Sequence, residues 1–335
     1  MSEAKRHHYL PVSYLKRFTS DGTDQGLLWI CDISKREFRA QKPLNTAVQG
    51  YYNAIEKKDG TRDFQIEKDL AALEGQVVPI IDNIECGAPL TKEERQKLAF
   101  YVAVQKHRTP DFEEQVDMTV EANVGRVGRM LYSDPDRAKE MFARYEKETG
   151  RTLGVPPKEL SDMFTKRQVN VVVSRNASLQ TMVNQSPQIA DFLMQMEWAF
   201  LHAPAGEAFV TSDQPFTLTA PPQRFRTPPF GTYGILNPGC RKLFPLSPKV
   251  CLIMFDRGHG APHRQASSDQ VDLINRTTAA DAYRYLIGRE EARIRRLAQI
   301  MDSAFGLEWG GTKFRPPDIG RVKMSAFWLF GRGGD

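Results

Sequence analysis

The sequence predicts an α+β fold, in which a small β-sheet collects strands from the N- and C-terminal sections around a large, mostly helical insertion. Three observations support it. β-prone runs stand near the start of the chain, helical periodicity dominates residues 64–203, and β-prone runs return with C-terminal helices over residues 207–335. Length suggests roughly two domains of about 150 residues. The candidate site residues extend from position 7 to position 275, so we instead expect residues 1–335 to form one interlocked domain.

Short apolar runs bounded by turn residues predict the strands, because β-branched and aromatic residues favour extended backbone. The predicted strands are residues 27–33 with a hairpin partner at 37–40, then 208–212, 216–220, 249–255 and, in the tail, 324–330. The first and the later strands flank the helical section. A shared sheet therefore requires that distant parts of the chain pair with one another.

Apolar residues at three- and four-residue spacing predict the helices. They cover residues 64–84, 91–108, 111–131, 135–148, most of 158–202, 267–287 and 289–301. Thr91 with Glu94, and Ser267 with Gln270, have the spacing of capping boxes and mark two helix starts. Pro79 predicts a bend in the first helix.

The composition excludes several classes of protein. Hydrophobic residues at 41% and charged residues at 26% fit a folded globular chain rather than a disordered, collagen-like or coiled-coil one. A net charge of +5 is too small to establish nucleic-acid binding. The four cysteines contain no C-x-x-C pair, which argues against a zinc knuckle or a dense disulfide framework.

The sequence contains no apolar leader and no run long enough to span a membrane. We therefore expect a cytoplasmic protein of a microbe or its phage, with no membrane partner. The motifs of a P-loop and of a H-E-x-x-H metal site are both missing from the sequence. The chemistry must be sought in separate polar clusters.

The first polar cluster is the histidine pair His7 and His8, within residues 5–18. Histidine can act as acid, base or metal ligand near neutral pH without perturbation, so the pair forms a catalytic candidate. The alternative is a surface histidine pair on an apolar hook that docks the terminus. The hook residues are Tyr9, Leu10, Tyr14, Leu15 and Phe18.

The second cluster stands at the end of the helix over residues 91–108. Tyr101, Gln105 and Arg108 share one face at spacings of four and three residues, which offers an amide and a guanidinium to a common anion. We expect these three residues to bind substrate. Alternatively, Arg108 stabilises the dipole of its own helix, or forms a salt bridge with Glu67 or Asp213.

The third cluster follows an apolar strand, where Ser212 and Asp213 precede a proline. Polar groups at the end of a strand emerge from a rigid scaffold, which suits a catalytic Asp213 and a substrate-binding Ser212. The alternative is a turn in which Asp213 only satisfies backbone N–H groups. Ser212 lacks the G-x-S-x-G elbow of a hydrolase nucleophile.

Two single residues and one basic run complete the candidates. Glu67, at the head of a helix, is either a partner of the helix dipole or a carboxylate that faces the site. Asn275 lies among apolar residues of a helix, where an amide weakens the helix unless it is bonded, and we expect it to bind substrate. Arg284, Arg289, Arg293, Arg295 and Arg296 form either a solvated helix face or a nucleic-acid contact.

Taken in order, these motifs resemble a bacterial family catalogued as "domain of unknown function 4238". The resemblance rests on the H-H-x-x-P and Y-L-x-x-F start, the Q-x-x-R-T-P helix end and the T-S-D-x-P strand end, over residues 6 to 287. It implies no known reaction. It does imply that the clusters belong to the family's motifs, at His7, His8, Gln105, Arg108, Ser212, Asp213 and Asn275.

These residues lead to a functional hypothesis of phosphodiester cleavage, as by an RNA or DNA nuclease that acts as a toxin or in phage defence. The histidine pair would supply the general acid and base, and Asp213 would orient a histidine. Arg108 and Gln105 would hold the phosphate, and Glu67 is a further catalytic candidate. The hypothesis names no metal ligand and leaves the cofactor unknown. Two alternatives stay open: a non-enzymatic module that recognises nucleotides or nucleic acid, and a purely structural polar network.

Overall fold

The structure is a computed structural model of the chain. It describes residues 5–166, 168–219, 234–237, 239–256, 261–305 and 324–325. The chain forms two compact units: Met1–Phe112 with Leu179–Gly311, and Glu113–Ser178 with Thr312–Asp335.

The described strands are short and lie mainly in the first unit. They are β1 (Arg6–His8), β2 (Leu28–Asp32), β3 (Glu37–Gln41), β4 (Val48–Gly50), β5 (Ile55–Glu56), β6 (Arg62–Asp63), β7 (Val171–Val172), β8 (Glu197–His202), β9 (Thr211–Ser212), β10 (Thr217–Leu218), β11 (Lys242–Pro245), β12 (Val250–Phe255), β13 (His263–Gln265), β14 (Tyr285–Gly288) and β15 (Met324–Ser325).

The described helices include the long ones that the sequence predicts between the two β-rich sections. They are α1 (Val12–Leu15), α2 (Gln65–Glu85), α3 (Lys92–His107), α4 (Pro110–Tyr132), α5 (Pro135–Thr149), α6 (Pro157–Thr165), α7 (Arg175–Met194), α8 (Ser268–Asp281) and α9 (Glu291–Phe305). Both predicted capping boxes are confirmed, in front of α3 and of α8.

A four-stranded antiparallel sheet joins the two ends of the first unit, in the order β3-β2-β14-β9. The register pairs Tyr285 with Asp32 and Leu286 with Ser212. This arrangement confirms the predicted α+β class, in which N- and C-terminal strands share a sheet around a helical section. It also brings the end of β9 next to the start of β14.

A second sheet of five strands has the order β10-β11-β12-β8-β13 and is built entirely from strands after α7. Its central strand, β12, is almost completely buried, as expected for an apolar run covered on both faces. The register between β12 and β8 runs from Val250 opposite His202 to Phe255 opposite Glu197. This sheet also supports the segment before β9, because Phe209 N–H donates to the carbonyl of Pro248, which lies between β11 and β12 (2.9 Å).

The first residues of the chain pack into the core of the first unit. Tyr14, Leu15 and Phe18 are at most 1% exposed, and the Tyr14 hydroxyl donates to the carbonyl of Pro245 (2.7 Å). The Tyr14 ring lies 5.7 Å from that of Phe244. The segment after β1 is therefore fixed to the five-stranded sheet by apolar burial and a buried hydrogen bond.

Two predicted helices are too long. The helix predicted over residues 267–287 ends at Asp281, because residues 285–288 form β14 and bond to strands on both sides. The last residues of the predicted helical stretch 158–202 form β8 for the same reason, between β12 and β13. In both places the hydrogen bonds of a sheet interior prevail over local helix propensity.

Part of the predicted tail strand and one end of another strand lie outside the described residues. Of residues 324–330, the structure describes 324–325, which pair in parallel with β7. Of residues 216–220, it describes all but Ala220.

The second unit has its own small apolar cluster, formed by α5, α6 and the end of α4. Phe142, Leu160 and Phe164 are buried together, and the ring of Phe164 stacks on Tyr132 with centroids 5.5 Å apart. Gly128 of α4 lies directly against Phe164, and a Cβ atom built there would come within 1.9 Å of Phe164 Cε1. This position therefore admits glycine alone without a shift of the ring.

We expect Gly128→Ala to lower the free energy of unfolding by about 1–3 kcal/mol, because the Phe164 ring must move out of its packing. The matched control is Gly125→Ala on the same helix, where the nearest atom to a new Cβ is 3.4 Å away. Loss of the glycine there should raise stability by up to about 1 kcal/mol through helix propensity. Urea unfolding of both variants measures the difference, and equal effects at the two positions would contradict the packing argument.

Candidate functional site

A polar cavity of about 180 Å³ lies in the first unit. Its walls come from Tyr9 just after β1, side chains between residues 39 and 49, Pro110, Asp213 and residues 283–285. These segments are distant in the sequence and meet because β14 lies between β2 and β9. The cavity is therefore a product of the four-stranded sheet and the N-terminal segment together.

Asp213 stands at the end of β9 and is buried in the cavity wall, with 1% of its surface exposed. Its Oδ1 accepts backbone N–H groups of Tyr283 (3.0 Å) and Arg284 (3.1 Å), and its own N–H donates to the carbonyl of Tyr285 (2.9 Å). Burial raises the pKa of this carboxyl to about 7, although the backbone N–H bonds oppose the change. The group can therefore carry a proton at neutral pH.

Two guanidinium groups, Arg39 and Arg284, form the charged part of the wall, and we call them the arginine pair. Arg284 Nε and Nη2 both lie on Asp32 Oδ2, at 3.1 and 3.0 Å. Arg39 Nη1 lies 4.0 Å from the same oxygen, and both guanidinium carbons lie over the ring of Tyr285, at 5.1 and 4.8 Å.

The arginine pair is held by a buried carboxylate and remains partly exposed to solvent. Asp32 is 1% exposed, whereas the side chains of Arg39 and Arg284 are 36% and 42% exposed. The Ser34 hydroxyl and the N–H of Lys35 also donate to Asp32. Burial raises the pKa of Asp32, but the hydrogen bonds from Ser34, Arg284 and Lys35 prevail and lower it. A carboxylate that stays ionised thus holds the two cations in place for an anion.

The predicted catalytic residues His7 and Glu67 meet in a separate polar network. His7 is completely buried, and its Nδ1 accepts the backbone N–H of Asn53 (3.0 Å). The Asn53 side chain donates to Glu67 Oε2 (2.6 Å), which lies 3.7 Å from His7 Nδ1. His7 is thus fixed between β4 and α2 rather than in the wall of the cavity.

His8 and Arg108 meet through the backbone. Arg108 Nη2 donates to the carbonyl of His8 and its Nη1 to Glu74 Oε1, both at 2.5 Å, with Arg108 only 3% exposed. The His8 ring is half-buried and bonds through Nε2 to the carbonyl of Leu44 (3.0 Å). Burial lowers the pKa of His8, with a smaller contribution from Arg108. Burial acts in the opposite direction on Glu74 and raises the pKa of its carboxyl, although the charge of Arg108 opposes this change.

The structure therefore divides the predicted site into two neighbouring parts. His7, His8, Glu67 and Arg108 form the N-terminal network, which does not contribute to the described wall of the cavity. Asp213 belongs to the cavity. Tyr9 connects the two parts, because it follows His8 directly, lines the cavity, and has a raised pKa caused by burial and then by the charge of Asp213.

Gln105 and Tyr101, which the sequence predicts as substrate-binding residues, lie in the core of the first unit. Gln105 is 1% exposed, and neither of its amide atoms has a hydrogen-bond partner in the described part of the chain. The Tyr101 ring packs against Phe244 with centroids 6.2 Å apart, and burial raises its pKa. Neither residue contributes to the described cavity wall.

Ser212 and Asn275 bond to nearby backbone. The Ser212 hydroxyl donates to the carbonyl of Gln214 (2.8 Å) and accepts its N–H (3.1 Å), which forms the turn after β9. Asn275 donates to the carbonyl of Ala208 and accepts the N–H of Val210, both at 2.9 Å. These bonds hold α8 against the strand that delivers Asp213 to the cavity.

The basic run of α9 is largely neutralised within the first unit. Arg293 pairs with Glu207 (2.6 Å), Arg295 with Glu291 (2.8 Å), and Arg296 with Asp272 (2.8 Å). Arg289 donates to the carbonyl of Ser20 (3.1 Å). Of the arginines predicted as a group, Arg284 alone lines the described cavity.

Sequence reasoning missed Asp32, Arg39 and Tyr285. Asp32 and Arg39 lie on the predicted N-terminal hairpin, where alternation assigns one face to solvent. The sequence signal was a buried acid at the end of an apolar strand, the same signal that selected Asp213. The sequence does not show that β2 pairs with β14, and this pairing brings Arg284 onto Asp32.

No three His, Cys, Asp or Glu side chains are grouped as for a metal ion among the residues that the structure describes. Within the same residues, no helix is long and apolar enough to cross a membrane.

The family model described as "Protein of unknown function (DUF4238)" matches residues 6–292. The chain belongs to this family, which confirms the resemblance of its motifs. Comparison with the curated proteins and with the solved structures gave no match. The matched residues include the cavity wall and the N-terminal network.

The raised pKa of Asp213 predicts a specific loss of stability with pH. An unfolded carboxyl releases its proton near pH 4, whereas folded Asp213 holds it to about pH 7. The folded state therefore binds more protons over this range, and stability falls as pH rises, by up to about 1.4 kcal/mol per pH unit, with no further loss above the folded pKa.

Asp213→Asn should remove this slope, since one amide oxygen can still accept both backbone N–H groups. Urea unfolding at pH 5, 6, 7 and 8 measures the difference between the wild type and the variant. Asp59→Asn is the control, because the pKa of Asp59 is lowered and the residue does not titrate over this range. Parallel pH profiles for the wild type and Asp213→Asn would contradict the assignment.

Proposed function

We propose that the protein is a phosphodiester-cleaving enzyme that acts on RNA or DNA, with the polar cavity as its active site. One observation carries the proposal: a buried carboxyl group that can be protonated near pH 7 shares a cavity with two exposed guanidinium groups. A phosphate bound by the arginine pair would have an acid beside it. We place this activity in the cytoplasm, as a toxin or phage-defence effector.

The arginine pair suits the binding of a phosphodiester anion. Guanidinium groups donate two parallel N–H bonds to phosphate oxygens, and groups fixed in advance need no reorganisation when charge develops in the transition state. Asp32 uses the Nε and Nη2 atoms of Arg284, which leaves Nη1 to face a ligand. Asp32 is in this proposal a positioning residue.

Asp213 would act as the general acid. A water oxygen attacks phosphorus, the P–O bond to the leaving group breaks, and the leaving oxygen takes the proton of Asp213. The attacking water loses one proton to solvent, and Asp213 regains one from solvent. The products are a phosphomonoester and an alcohol, and an acid with a pKa near the working pH is suited to this transfer.

The roles differ from those first expected. His7, His8, Glu67 and Arg108 would serve as positioning residues that fix the chain before Tyr9, because His7 and Arg108 are buried and bonded. None of the four lines the described cavity, which leaves the acid role to Asp213.

A second candidate is a recognition module that binds a nucleotide or nucleic acid without cleaving it. The position of His7 favours it, since this expected acid–base group does not line the described cavity. The arginine pair and the tyrosines of the cavity would serve binding alone equally well. Turnover separates the two candidates.

The test is incubation of the purified protein with labelled RNA and DNA, with and without divalent metal. We expect cleavage by the wild type and loss of cleavage in Arg284→Ala. Arg296→Ala is the matched control, because that guanidinium pairs with Asp272 on another surface and should leave activity unchanged. Retained cleavage in Arg284→Ala would overturn the assignment of the site, and binding without cleavage would favour the recognition module.

The pH dependence of cleavage provides an independent prediction. The acid form of Asp213 is present below about pH 7, so kcat/KM should be level below that pH and fall about tenfold per pH unit above it. Rates measured from pH 5 to pH 9 give the profile. A rate that rises through pH 7 would assign Asp213 as a base and contradict the proposed step.

A further inference from the structure

We infer that the substrate enters this site as the end of a strand, one nucleotide at a time, rather than as an internal stretch. The inference rests on the proposed function and names its substrate class. Three features support it: the volume of the cavity, the fixed wall next to the arginine pair, and the pairing of three arginines of α9 with carboxylates.

The volume limits what can lie inside. Pockets that enclose a drug-sized ligand measure about 300–1,000 Å³. The cavity here is about 180 Å³, which leaves room for a phosphate and part of the attached nucleotide. An internal stretch of strand would need room for a nucleotide on each side of the scissile phosphate.

Burial and hydrogen bonds hold the wall formed by the residues before β4, and both oppose a widening of the cavity on this side. Thr46 and Ala47 are buried, and the carbonyl of Ala47 accepts the N–H of Tyr9 (2.9 Å). The Thr46 hydroxyl donates to the carbonyl of Lys42 (3.0 Å). Ala47 also has a φ of 54°, a left-handed conformation that a residue with a side chain keeps only when its surroundings enforce it.

The pairing of the arginines of α9 also favours the end of a strand over an internal stretch. Proteins that hold an extended single strand use a positively charged groove along its backbone. The basic helix α9 does not provide one, because Arg293, Arg295 and Arg296 each pair with a carboxylate. The arginine pair shares the one buried carboxylate of Asp32, which leaves a net charge suited to a single phosphodiester.

Tyrosines in the cavity wall supply contacts for the rest of the nucleotide. Tyr9 and Tyr285 both line it, and Tyr285 carries the arginine pair on its ring. Aromatic rings bind sugars and bases with little regard to sequence. We therefore expect cleavage from an end with little dependence on sequence.

The test compares a linear single strand with the same strand closed into a circle, for RNA and for DNA. The wild-type protein should shorten the linear strand to mononucleotides, without internal fragments, and should leave the circle intact. Labels placed at the 5′ or the 3′ end identify which end is taken. Arg284→Ala should lose cleavage of the linear strand, and Arg296→Ala should retain it.

The outcomes separate this inference from the proposed function. Cleavage of the circle at the rate of the linear strand overturns end recognition and leaves phosphodiester cleavage standing. Cleavage of neither substrate overturns the proposed function. Binding to Asp213→Asn then decides the inference: displacement of a labelled linear strand by a mononucleotide but not by the circle supports it, and equal displacement by the circle overturns it.

Discussion

The cavity depends on one set of hydrogen bonds, those by which the Asp213 carboxyl accepts the N–H groups of Tyr283 and Arg284. They fix the chain between α8 and β14. The backbone position from which the Arg284 side chain extends is therefore fixed as well. The carboxyl must be buried to reach these groups, and burial favours its protonated form. The burial that lets this carboxyl organise the backbone thus also raises its pKa, against the effect of the hydrogen bonds themselves.

A second constraint acts on the carbonyl oxygen of His8, which accepts hydrogen bonds from Arg108, directly after α3, and from Asn53. A carbonyl has two lone pairs, and both are used here by side chains from distant parts of the chain. The strand before Tyr9 is thereby tied to the helical section. This explains how polar residues far apart in the sequence belong to one arrangement without all of them touching a ligand.

Local signals in the sequence predicted much of the fold. Thr91 and Ser267 marked helix starts because capping is a contact between residues three positions apart. The sequence alone predicts helix at most of residues 285–288, because only their pairing with β2 and β9 makes them a strand. The same holds for the site. Asp213 can be predicted because it stands at the end of an apolar strand. Asp32 cannot, because its role depends on Arg284, a partner that no spacing rule connects to it.

The pairing of β2 with β14 also determines when the site can form. Asp32 and Arg284 are 252 positions apart, and contacts of such long range close late in folding. During synthesis, the N-terminal hairpin leaves the ribosome long before its partner strand exists. A nascent or prematurely ended chain therefore has Asp32 and Arg39 but no cavity. Under the proposed function, this order of assembly would keep the growing chain inactive beside its own messenger RNA.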